Sequence, residues 1–393
     1  IKIWIGHQCL ILLKKLITLI KITSIRIYYL EFSLTNNIIT SFGVMKSRPT
    51  IILELEDSNN NIGYGEVWCN FPSDGANYRF NVLKNIFSNF IIDCEFTNPQ
   101  NYIKHILGPL KTVFVQSDDI GTYNNISAAF DCAIWDLFAK VKQTPLNKLL
   151  NPNANKFINV YASGINPNDS IKQIQKARLL GINAFKIKIG FNDDLDLNLI
   201  NLLNNHITSK EILMLDVNQG WSIDNSKKFL NLLANKNIYW VEEPISARTQ
   251  NTEYLSLAKS TQSKLALGEN INEIKDFIFF LKSNYFNFVQ PDITKFGGIS
   301  LIKELIELNE KEKIWLHFLG SGVGLLTSGH LMTAFNPNGL LETDVNLNPL
   351  RTNIFEEELK IENGKIELSE KSGICMKLNF NTINKYLVSS LTL

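Results

Sequence analysis

Seven ionisable side chains recur along the second half of this sequence at the spacing of one strand plus one helix. Lys188, Asp216, Glu242, Glu269, Asp292, His317 and Glu342 each close a short apolar run, and the steps between them are 28, 26, 27, 23, 25 and 25 residues. Charges on a solvated surface scatter over helices and loops, whereas these follow strand-like segments in register. Asp216, Glu242 and Glu269 repel one another if gathered in a partly dry mouth, so the trio needs a cation. Oxygen-only donors favour a hard ion, Mg2+ with Mn2+ as a substitute, and leave coordination positions for a substrate that brings its own oxygens, such as a carboxylate. Lys186 and Lys188 lie two apart and so share one face of a strand. Two neighbouring ammonium groups lower each other's pKa, which prepares one of them as a neutral base. Asp292 and His317 close successive strands, about 4.8 Å apart, so the carboxylate can orient the imidazole as a second acid or base. His330 lies in a helix-like stretch and reads as packing.

The elements that must position these groups are legible from residue 157 onward. Candidate strands at Ile158 to Ala162, Ala184 to Ile189, Ile212 to Val217, Ile238 to Val241, Leu265 to Gly268, Phe286 to Gln290, Ile314 to His317 and Leu340 to Glu342 alternate with amphipathic helical stretches. Repeated strand–helix units of this length predict an α/β fold, a closed (β/α)8 barrel over residues 151–345 whose C-terminal strand ends carry the chemistry. An open doubly wound sheet is the alternative, but Ser163-Gly-Ile-Asn-Pro167 is not the Gly-rich phosphate loop it would need. Residues 21–150 read as a small sheet followed by helices. Its strands are Ile22 to Phe32, Thr50 to Glu56 and Tyr64 to Trp68, with a polar loop over Thr35 to Pro49 and helices near Asn77 to Phe90 and Ser127 to Val141. Residues 346–393 hold an Asn-Gly hairpin signal at Glu362-Asn-Gly364 and are expected to return to the N-terminal sheet. Residues 1–20, apolar but broken by Lys14 and Lys15, resemble neither a bilayer span nor a signal sequence and read as an extension of uncertain status.

Composition excludes several classes. Thirty-nine basic against 38 acidic residues give a net charge of +1, too little to gather nucleic acid or an anionic membrane. The five cysteines are scattered without CxxC spacing, so neither a disulfide framework nor a thiolate zinc site is expected, and a reducing, cytoplasmic setting is.

Several motifs, in order, resemble the enolase superfamily and within it the mandelate racemase subgroup: Phe185-Lys-Ile-Lys-Ile-Gly190, Asp216-Val-Asn-Gln-Gly-Trp221, Val241-Glu-Glu-Pro244, Gly268-Glu-Asn270, Gln290-Pro-Asp-Ile-Thr-Lys-Phe-Gly-Gly298, His317 and Leu341-Glu342. The resemblance implies an α+β capping domain (residues 21–150) over a modified (β/α)8 barrel (residues 151–345), Mg2+ on Asp216, Glu242 and Glu269, and abstraction of the proton α to a carboxylate. It makes Lys188 one base and the Asp292–His317 dyad the other, and has Glu342 hydrogen-bond the substrate carboxylate. Lys186, Asn218 and Glu243 support that machinery. It further implies a small-molecule carboxylate substrate and a homo-oligomer. Dehydration of an acid sugar or related hydroxy acid is the expected reaction. A racemase or epimerase with the same site, and a barrel that binds without turnover, are the alternatives. Selectivity is expected from Thr35 to Pro49 and from Trp68 to Phe71, with Trp68 and Phe71 either roofing the pocket or packing the domain junction.

Overall fold

The computed structural model describes residues 19–40, 43–374 and 377–393, so residues 1–18, with most of the expected extension, lie outside it, as do Cys9 and Cys375. Two sheets organise the described residues. The first is antiparallel: β1 (Ile20–Thr40), β2 (Gly43–Asp57) and β3 (Ile62–Val67) form a meander, with β13 (Leu387–Thr392) on the free side of β1 and the short β4 (Glu95–Phe96) paired to the start of β1. One face of this sheet is continuously apolar. Ile25, Ile27, Ile51, Leu53 and Leu55 are buried against Phe80 and Leu83 of α1 (Gly75–Asn85) and Ile126, Ala133 and Leu137 of α2 (Ile120–Val141), which makes the core of the capping domain.

The second sheet is parallel and curled, in the order β10-β9-β8-β7-β6-β5-β11: Phe288–Val289, Leu265–Leu267, Val241–Glu242, Ile212–Asp216, Ala184–Lys188, Phe157–Ile165 and Leu341–Asp344. Amphipathic helices follow its strands: α3 (Ser170–Leu179), α4 (Asp193–His206), α5 (Ile223–Leu233), α6 (Asn251–Lys259), α7 (Ile274–Lys282) and α8 (Gly298–Ile306); α9 (Gly322–Phe335), which follows the Ile314 to His317 segment, is buried on every side. Side-chain alternation sends every second residue inward. The lower inward layer is apolar, built from Tyr161, Ala184, Met214, Trp240, Ala266, Phe288 and Trp315. Trp240 lies 4.8 Å from Phe288 and 5.3 Å from Trp315 between ring centroids. Two residues further along the same strands come Lys186, Asp216, Glu242, Gln290 and His317. The ionic layer therefore rests on a dry aromatic floor.

Three expectations need correction. Ile314 to His317 is not a ladder strand: it keeps one bridge, Val289 to Ile314, with Trp315 N and His317 N donating to the carbonyls of Val289 and Pro291. Pro291 has no N–H to continue the ladder. The Asn-Gly hairpin turns as its residues demand, with φ of 52° at Asn363 and 71° at Gly364, but β12 (Lys365–Glu367) pairs with barrel strand β5, and β13 is the segment that returns to the N-terminal sheet. The loop expected over Thr35 to Pro49 is instead the tip of a long hairpin, paired through Ile38 to Met45 and Thr40 to Gly43.

The two domains are joined through buried polar contacts. Glu66, on β3, accepts from Ser321 N and Oγ and from Gly324 N at the start of α9, all within 2.8 Å, and from Thr50 Oγ1 at 3.0 Å. Asp131 of α2 accepts from Ser300 N at 2.9 Å and from its hydroxyl. Glu66→Gln leaves a buried donor facing donors and is expected to lower stability by about 1–3 kcal/mol, read as a fall in the urea midpoint. No helix among the described residues is long and apolar enough to cross a membrane.

Candidate active site

The parallel register carries the sequence series to one place. Lys188 pairs with Asp216 across β6 and β7, and Asp216 with Glu242 across β7 and β8. Lys186, Lys188, Asp216, Asn218, Glu269, His317 and Glu342 line one cavity of about 220 Å³. Glu242 and Asp292 sit in its wall, each 1% exposed. The backbone departs from ordinary conformations just beyond the acidic strand ends, with φ of 47° at Asn218, 64° at Gln219 and 38° at Glu243. Left-handed conformation at non-glycine residues costs energy and clusters at functional sites.

Each acid is tied to specific donors. Lys186 Nζ bridges Glu242 Oε1 and Glu342 Oε1, both at 2.7 Å. The other oxygen of Glu242 accepts from Gln290 Nε2 at 2.8 Å. Lys188 Nζ lies 3.4 Å from Asp216 Oδ2 and donates to Asn218 Oδ1, while Asn218 returns its backbone N–H and side-chain amide to Asp216. Glu269 Oε2 lies 3.3 Å from Lys295 Nζ and 3.2 Å from His317 Nε2. Glu243, behind Glu242, accepts from Asn270 Nδ2 at 2.8 Å.

The Lys pair does not behave as its sequence suggests. Burial works to lower the Lys186 pKa, but the charges of Glu242 and Glu342 outweigh it and hold the group well above its ordinary value. Lys186 is thus a fixed cation. The three-carboxylate cluster is also not preformed: among the described residues no three His, Cys, Asp or Glu side chains converge as a metal cluster. Like charges repel, and Asp216, Glu242 and Glu269 are each turned onto separate protein donors. The donor set still suits a hard cation. Six carboxyl groups (Asp216, Glu242, Glu243, Glu269, Asp292, Glu342) face three ammonium groups and one imidazole, an excess of negative charge in a buried place. Burial pushes Glu242 up to about 7, with Asp216 adding to the rise against the pull of Lys186.

His317 is held through Nδ1 by Asp292 Oδ2 at 2.8 Å, and Asp292 is itself fixed by Thr294 N and Oγ1 on its other oxygen. Burial lowers the imidazole pKa, but Glu269, Glu342 and Asp292 overcome it and raise it to about 9. Burial would raise Glu342, yet Lys186 and His317 keep it below the usual carboxylate range. Ionised, it accepts from Lys186, Tyr161 OH at 2.8 Å and Phe318 N at 3.3 Å, and has no proton to give. His330 stands apart on α9: its Nδ1 receives Asn147 N at 3.2 Å, and burial lowers its pKa to about 4, so it is a neutral packing residue.

Sequence reasoning gave no role to Tyr161, Gln290, Lys295 or Arg48. Tyr161 sits on the first barrel strand, where no charge marked a strand end. Gln290 and Lys295 flank Asp292 within a motif whose periodicity could have flagged Gln290 as inward. Trp68 and Phe71 both roof the cavity, and the Trp68 ring lies 4.6 Å from Lys295 Nζ.

Over residues 169–382, more than half of its length, the sequence matches the family described as Enolase C-terminal domain-like. The chain belongs to the enolase superfamily. This enolase-superfamily chain superposes with a TM-score of 0.83 on a mandelate racemase/muconate lactonizing enzyme from Bordetella bronchiseptica RB50, at 28% identity over 94% of this chain and 99% of the other. That neighbour has the capping domain and barrel found here. Among its relatives are D-galactarolactone cycloisomerase of Agrobacterium fabrum, 24% identical over 93% of this chain and 98% of the relative. L-talarate/galactarate dehydratase of Salmonella typhimurium is 28% identical over 63% and 62%. The superfamily assignment made from the ordered motifs and the barrel expected from strand spacing agree with these findings.

Proposed function

We propose that the protein is a metal-dependent hydro-lyase that removes the proton α to the carboxylate of an acid sugar or related hydroxy acid and expels the β-hydroxyl. The observation that carries this reading is that Lys188 and the Asp292-held His317, from strand ends on opposite arcs of the barrel, line one cavity together with the fixed cation Lys186. Lys188 takes the α-proton. The C–H electron pair moves onto the carboxylate as an enediolate, whose charge is opposed by Lys186, the cation held at 2.7 Å by both Glu242 and Glu342. Collapse of that charge breaks the β C–O bond while His317 Nε2 delivers a proton to the departing oxygen, so water leaves. The remaining enol takes up a proton to give a 2-keto-3-deoxy acid. Asp216, Glu242 and Glu269 would hold a divalent cation, Mg2+ or Mn2+, which supplies electrostatic stabilisation of the oxyanion. Asn218 steadies Lys188 and Asp216, and Glu243 orders Asn270.

Two measurements test this reading. A screen of hydroxy acids in D2O is expected to yield a 2-keto acid; α-deuteration with inverted configuration and no water loss would instead identify a racemase, and binding without either would identify a non-catalytic barrel. Mg2+ is expected to raise the thermal midpoint, since a ligand at 100 times its Kd stabilises by about 2.7 kcal/mol. Glu242→Gln is expected to abolish that rise. An equal rise in the variant would remove the carboxylate trio from metal binding.

A further inference from the structure

The cavity wall opposite the acidic cluster carries a surplus of positive charge. Arg48 reaches it from β2 of the capping domain, below the hairpin tip, and is 3% exposed. Its Nη2 donates to Asp344 Oδ2, and its Nη1 lies 2.9 Å from Met45 Sδ, a weak acceptor. The same Asp344 oxygen is 3.7 Å from Arg351 Nη1, and the other oxygen of Asp344 already accepts from Asn346 N and Nδ2. Two buried guanidinium groups therefore share one saturated carboxylate. Arg48 Nε and Arg351 Nη1 have no hydrogen-bond partner, although both are buried. Two guanidinium groups against one carboxylate leave net positive charge in a buried place, which is costly, and the cavity that Arg48 lines is the place from which a second anion can come.

Resting on the hydro-lyase reading above, we propose that Arg48 is a specificity residue that binds a second anionic group on the substrate, so that the preferred substrates are acid sugars with a carboxylate at each end. The reacting carboxylate lies beside Lys186 and the acids that surround it, and the distal one beneath the β1–β2 hairpin. A neutral hydroxyl terminus could accept a hydrogen bond from Arg48 but would leave its charge unmatched.

The test compares six-carbon diacids (galactarate, glucarate) with the matching monoacids (galactonate, gluconate), reading α-hydrogen exchange in D2O and 2-keto acid formation. The wild type is expected to favour diacids by at least about tenfold in kcat/KM. Arg48→Met, of similar length without charge, is expected to lower kcat/KM for diacids by roughly 10- to 100-fold, mainly through KM, and to leave monoacids within about threefold. Arg48→Lys should recover part of the loss. Preference of the wild type for monoacids overturns the proposal even if Arg48→Met does not fold, and so does an equal loss for both classes in a folded variant. Turnover of monoacids alone leaves the hydro-lyase reading standing, whereas absence of exchange and product with every acid overturns both.

Discussion

Lys188→Ala is expected to abolish both α-hydrogen exchange and product formation, with kcat falling by roughly 10²- to 10⁴-fold, while His317→Asn abolishes product formation but retains exchange. The asymmetry follows from the two positions. Lys188 Nζ lies at the strand end of β6, 3.4 Å from Asp216 Oδ2 and donating to Asn218 Oδ1, and it is the base assigned to the α-proton, so its loss removes the acceptor for the first step. His317 acts after that step, when the β-oxygen needs a proton to leave. Asparagine keeps a hydrogen bond to Asp292 but cannot deliver that proton, so the carbon acid still ionises and is reprotonated from Lys188 with solvent deuterium. NMR of the recovered substrate after incubation in D2O measures the exchange, and 2-keto acid formation measures the rest. Equal loss of exchange in both variants would show that His317 is a base toward carbon, as in a two-base racemase. Unimpaired exchange in Lys188→Ala would remove that lysine from the first step.

The barrel and its ionic layer were readable because one period governs both. A strand that ends in an inward-pointing charge also points its i−2 residue inward, and those positions hold Lys186 and Lys188 on β6, Met214 and Asp216 on β7, and Glu242 on β8 with Trp240 just before it. Spacing along the chain then becomes adjacency around the mouth. What spacing does not encode is how the charges pair once gathered. Lys186 was expected to depress the pKa of its neighbour and be depressed in turn; two carboxylates at 2.7 Å reverse that sign for Lys186, and neither Glu242 nor Glu342 is near it in sequence. The same limit hid Arg48, whose partner Asp344 is 296 residues away. The hairpin over Thr35 to Pro49 was missed for another reason: its polar residues resemble a loop, and only pairing with the opposite strand shows them as an extension of β1 and β2 over the pocket.

Gly65→Ala is expected to lower stability by about 3 kcal/mol or more, and to do so from a position with no chemistry of its own. β3 lies so close to α2 that a Cβ on Gly65 would stand 2.0 Å from the carbonyl oxygen of Ala129 and 2.9 Å from its carbonyl carbon. Gly63, two residues earlier on the same face, meets the carbonyl of Ala133 at 2.2 Å, so the approach is a continuous seam of backbone on backbone. A side-chain neighbour could rotate aside, but a helix carbonyl cannot move without the turn that contains it. That turn also carries Asp131, which accepts from Ser300 at the start of α8, and β3 carries Glu66, which accepts from Ser321 and Gly324 at the start of α9. Separating β3 from α2 therefore loosens these two links between the capping domain and the barrel, and with them the position of Trp68 and Phe71 above the cavity. Gly121→Ala in the first turn of α2 is the matched control: a Cβ there meets nothing within 4 Å, and the change is expected to stabilise by up to about 1 kcal/mol. Thermal and urea midpoints of the two variants should move in opposite directions. A Gly65→Ala midpoint at or above that of the wild type would mean that the sheet and helix can part without cost, and that the seam does not hold the cap in place.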